Sequence, residues 1–146
     1  MYILITFFFK LFAAMPLRLL HALASVLGGV VYYLRREDRE RVFDNMCTAG
    51  LQPDEAAVKA VFRETVKGGL ELPVAFFRRP ESIEKLFVEV RGWEHVQAAL
   101  DAGEGLLFIT PHIGSYDLAG RYISQQLPFP LTAMYKPPKL KAMDEV

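Results

Sequence analysis

The feature that most constrains this chain is its front. Residues 1–34 are rich in Leu, Phe, Ala and Val, and Lys10 and Arg18 are their only charged side chains. A stretch this apolar must be covered, by protein or by lipid. Pro16 has no N–H to donate inside a helix, so it divides the stretch into two helical pieces. The longest uncharged piece, Leu19 to Leu34, reaches about 24 Å as a helix against roughly 30 Å of hydrocarbon. Two membrane arrangements follow: a span that takes in Arg18 near its end, or a segment lying in the interface. A buried helix of a soluble core is the third reading. A cleaved leader is disfavoured, because Arg18 interrupts the apolar region and hydrophobicity runs past the small residues Ala22 and Ala24 to Leu34.

Arg35, Arg36, Arg39 and Arg41 come next. If the apolar segment spans, they hold the rest of the chain in the cytoplasm. Glu37, Asp38 and Glu40 are interleaved with them, which also suits an ordinary solvated helix face. Over the whole chain Lys plus Arg and Asp plus Glu balance at 17 each, so no global field points to nucleic acid. The length suits one domain with a moderate core. We divide it into residues 1–34, membrane anchor or interfacial helices, and residues 35–146, the N-terminal part of a catalytic domain. Cys47 is the single cysteine, so no internal disulfide forms, and a small apolar filler is its simplest role.

The remainder reads as alternating elements. Gly50 closes the basic helix, and Pro53-Asp54-Glu55 opens another whose apolar face carries Val58, Val61, Phe62, Thr65, Val66 and Gly69. Gly68 and Gly69 would admit a close helix neighbour, and Glu71 reads as an exposed or capped carboxylate. Phe87 to Arg91 is a candidate strand, Trp93 to Ala102 a helix closed by Gly103, and Gly105 to Ile109 a buried strand ended by Pro111. A helix from Tyr116 to about Gln126, with Ser115 as its cap, and a strand from Leu131 to Tyr135 complete the order. The expected fold class is α/β, with N-terminal helices followed by the first part of a domain with a mainly parallel sheet.

In such sheets, loops at the carboxyl ends of strands hold the ligand. His112 lies on one of them. Asp117 falls in the first turn of the following helix, where the dipole favours a carboxylate. An imidazole near neutrality can take a proton from a hydroxyl, and a nearby carboxylate can fix its tautomer. If the nucleophile is a substrate hydroxyl, no third protein residue is required. Ser115 as nucleophile is the alternative, but the chain has no Gly-x-Ser-x-Gly elbow. A metal site lacks a third ligand, since His21 lies in the apolar segment and His95 on a helix surface. No cofactor is expected.

The block Thr110-Pro-His112-Ile-Gly114-Ser-Tyr-Asp117 resembles the His-x4-Asp/Glu motif of the late acyltransferases of lipid A biosynthesis, lauroyl and myristoyl transferases within the wider glycerolipid acyltransferase superfamily. The likeness covers the whole chain in order. It includes Met15-Pro16, the Arg-rich stretch leading to Asn45-Met46, Gly69-x-Glu71, Arg91-Gly92-Trp93-Glu94-His95 and Met134-Tyr135-Lys136-Pro137-Pro138. It implies an enzyme of the bacterial inner membrane, its catalytic portion facing the cytoplasm, that moves a fatty acyl group from acyl carrier protein to a hydroxyl of a lipid A precursor. His112 would be the general base and Asp117 its orienting partner. Lys136 and Lys139 would meet the sugar phosphates, or else form an exposed basic loop. Ser115-Tyr116 stand where the family commonly has Asn-Trp. The resemblance also implies strands beyond Val146, so the chain reads as an N-terminal fragment, poorly active alone. A non-catalytic membrane remnant and a phospholipid-type acyltransferase are the competing readings.

Overall fold

The computed structural model describes residues 2–134, and they form seven helices. The apolar front gives α1 (Tyr2–Ala14) and α2 (Leu17–Leu34), broken at Pro16 as its missing N–H demands. Arg78 holds that joint. Its guanidinium donates to the carbonyl of Ala13, in the last turn of α1, at 2.8 Å and to that of Met15, just past its end, at 2.5 Å.

The charged stretch forms α3 (Arg36–Thr48), with exposed ion pairs such as Arg36 to Glu40 at 2.9 Å. Then α4 (Glu55–Phe77) begins at Asp54, whose side chain accepts from the Ala57 amide at 2.7 Å. Short α5 (Pro80–Glu84), α6 (Trp93–Asp101) and α7 (Tyr116–Gln126) follow. The helical expectations for the basic segment, for Trp93 onward and for Tyr116 onward therefore hold.

The helix α4 is the spine. One face of α2, carrying Leu20, Ala24, Gly28 and Tyr32 at four-residue spacing, packs along it. Two apolar clusters result. Leu20, Val74, Ala75, Ile83 and Leu118 join α2, α4, α5 and α7, while Tyr32, Val58 and Phe62 join α2 to the start of α4. Tyr32 and Phe62 meet edge to face with centroids 5.6 Å apart. Outside this contact α2 leaves Leu19, Val26, Leu27, Val30 and Leu34 exposed, and α1 leaves Ile3, Leu4, Phe7 and Leu11 exposed. Of the described helices α2 alone is long and apolar enough to cross a membrane.

The expectation of an α/β domain with a mainly parallel sheet is overturned: no strand occurs among the described residues. Residues 87–91 and 104–111 have no regular structure, and neither do the described residues 131–134 of the third candidate strand. Leu107 and Ile109 are 85% and 88% exposed. A helix closes its hydrogen bonds locally, but a strand needs a neighbour to take its N–H and C=O groups. No described segment lies beside these runs in that role. Apolar composition alone marked them as strands and could not supply the partner.

Two smaller readings also change. A Cβ on Gly68 or Gly69 would meet nothing within 4 Å, so these are not the close approach between helices. That approach is at Gly28. Cys47 is exposed rather than a core filler.

Candidate active site

The loop before α7 carries His112. The amide of Ile113 donates to the Pro111 carbonyl at 2.8 Å, a three-residue turn that puts His112 at its tip. Gly114 follows with φ +63°, a left-handed conformation that glycine adopts without a Cβ penalty. His112 is exposed, and its ring lies against that of Tyr116 with centroids 4.4 Å apart.

Asp117, in the first turn of α7, is half-buried. Burial pushes its carboxyl above the usual aspartate value, and the charge of Glu71 adds to that rise. The Tyr116 hydrogen bond and the nearby His112 pull it the other way. The helix dipole, expected to favour the ionised form, is thus opposed by desolvation. Tyr116 is raised in turn, by burial first and then by the charge and hydrogen bond of Asp117. The charge of His112 thus bears on Asp117 from the preceding loop.

Beneath the loop lies a group that sequence reasoning placed wrongly. Glu71, expected to be exposed or capped, is 6% exposed and is the buried charged residue of the described core. Both of its oxygens are taken. His21 Nε2 meets Oε1 at 2.5 Å, and the Ser115 hydroxyl donates to Oε2. Ser115 occupies the N-cap position of α7 yet makes no side-chain bond to that helix. His21 sits in the apolar stretch, far from the predicted dyad in sequence. That was the available clue: an ionisable side chain in such surroundings requires a partner.

The carboxylate stands between the imidazole and the hydroxyl, so His21 does not activate Ser115 as a nucleophile. Among the described residues no group of three or more His, Cys, Asp or Glu side chains could hold a metal ion. Lys136 and Lys139 lie outside the described residues.

A comparison with protein families finds a match to the bacterial lipid A biosynthesis acyltransferases over residues 1–146. Neither the curated proteins nor the solved structures give a match. The family match includes the apolar front and the spine helix as well as the His112 loop, and on that extent the chain belongs to the bacterial lipid A biosynthesis acyltransferase family.

Proposed function

We propose that this acyltransferase moves a lauroyl or myristoyl chain from acyl carrier protein to a hydroxyl of a lipid A precursor, with His112 as general base and Asp117 as its partner. The observation that carries this reading is an exposed imidazole at a loop tip, under the charge of a half-buried carboxylate, in a member of this family. His112 takes the proton of the acceptor hydroxyl as its oxygen attacks the thioester carbonyl. Collapse of the tetrahedral intermediate breaks the carbon–sulfur bond. The departing thiolate then receives the proton from the imidazolium, and the base is regenerated.

Residues 1–34 serve as the membrane anchor in this reading, at the bacterial inner membrane, and residues 35–146 belong to the catalytic portion on the cytoplasmic side. The exposed apolar faces of α1 and α2 support contact with lipid, and the arginines after α2 support the orientation. Lys136 and Lys139 would meet the acceptor's phosphates as point charges.

His112→Ala is expected to lower acyl transfer by about 10² to 10⁴-fold. In cells that depend on this enzyme, lipid mass spectrometry should show lipid A lacking one secondary acyl chain. Unchanged lipid A would sink the assignment, and transfer to lysophospholipid in preference to lipid A precursor would move the enzyme to another acceptor class.

A further inference from the structure

We infer that Glu71 is a positioning residue for acyl transfer: through Ser115 it fixes the loop carrying His112, and through His21 it ties that loop to the apolar helix α2. This rests on the reading of His112 as general base.

Three helices converge on one carboxylate. His21 is 50 residues before Glu71 and Ser115 is 44 after it, so the cluster exists only in the folded chain. A carboxylate taken from water is costly unless donors replace the lost hydration, and here one donor serves each oxygen.

The location gives the cluster its consequence. None of residues 105–114 is buried, and Pro111, His112, Ile113 and Gly114 are all exposed. Ser115 is itself exposed, but its hydroxyl bonds to the buried Glu71 and so ties this loop to the interior; Leu118 in the core is the next tie. Ser115 stands between His112 and Asp117 in sequence, so whatever holds it limits both. Its hydroxyl leaves its own helix without a side-chain cap, and the Glu71 carboxylate lies near the positive end of α7 instead. The same carboxylate bears on Asp117 through its charge. Reaction geometry is sensitive to such ties, since about 1 Å of misplacement can cost about a hundredfold in rate.

The test is steady-state acyl transfer with the full-length protein in membranes, using acyl carrier protein loaded with a lauroyl chain and a lipid A precursor. Ser115→Ala is expected to lower kcat about tenfold or more, with KM changed less than twofold. Ser115→Thr, which keeps the hydroxyl, should restore most of it. Glu71→Gln offers an amide where two acceptors are needed, and should lower kcat similarly. The double variant should lose no more than the worse single one. Thermal melts identify any variant that fails to fold. If Glu71→Gln fails, the Ser115→Ala and Ser115→Thr pair decides.

Wild-type kcat in Ser115→Ala, or no recovery in Ser115→Thr, overturns the positioning role. His112→Ala run in parallel separates the two readings. An inactive His112→Ala beside a fully active Ser115→Ala leaves the base assignment standing and removes this inference. A fully active His112→Ala removes the base assignment itself.

Discussion

Gly28 of α2 lies so close to α4 that a Cβ on it would come within 2.6 Å of the Arg63 Cα. It would also sit 2.9 Å from the Phe62 carbonyl oxygen. These are backbone atoms, which cannot step aside as a flexible side-chain end can. The missing side chain therefore sets how near the apolar helix comes to the spine, and the Tyr32–Phe62 contact beside it depends on that spacing.

Gly28→Ala should accordingly destabilise the protein by about 1–3 kcal/mol, as overpacking does. Gly29 is the control. A Cβ there meets nothing within 4 Å, so Gly29→Ala is expected to be neutral or to stabilise by about 0.5–1 kcal/mol through helix propensity. Denaturant or thermal unfolding of the two variants in the same detergent measures the contrast. Equal effects at both positions would contradict the close-approach argument.

The start of α4 offers a second, local test. Asp54 receives the Ala57 amide at 2.7 Å, so Asp54→Ala leaves that donor without its side-chain partner. The expected loss is about 0.5–2 kcal/mol, and Asp54→Ser should recover most of it. A Ser variant as unstable as the Ala variant would show that the cap is not the cause.

Asp117 makes stability depend on pH in an uncommon direction for an aspartate. Its carboxyl is raised above the ordinary aspartate value, chiefly by burial. The folded state therefore holds the proton more tightly than the unfolded chain, and stability from this group is lost as pH rises through the folded value. Asp117→Asn should melt higher than the wild type at neutral pH. The difference should vanish below about pH 3, where both folded and unfolded wild-type chains are protonated. A variant that melts lower at neutral pH would show that the hydrogen bond to Tyr116 outweighs desolvation.

The helices were legible because their evidence is local. Pro16, Asp54 and the apolar spacing of α4 act within a turn or two of where they stand, and each gave an element close to its expected place. The strands failed for the opposite reason: Leu107 and Ile109 have strand-like composition, but pairing is a property of two segments. At the candidate site, His112 and Asp117 were visible as a spacing within one loop. The Glu71 cluster was not, because its three members are scattered over α2, α4 and the start of α7. His21, an ionisable side chain inside the apolar stretch, was the trace it left in the sequence, since Glu71 stands in a helix that carries several other charges.

Arg78 gives the joint at Pro16 one more property. Because its guanidinium is bonded to the carbonyls of Ala13 and Met15, it moves wherever the corner between α1 and α2 moves. A guanidinium is among the most costly groups to carry into hydrocarbon. In the membrane-anchored reading proposed above, the corner thus has a built-in draught mark: α1 and α2 would lie along a bilayer to the level at which Arg78 still meets water or headgroups, and sinking further would mean either dragging a charge down or opening the bend.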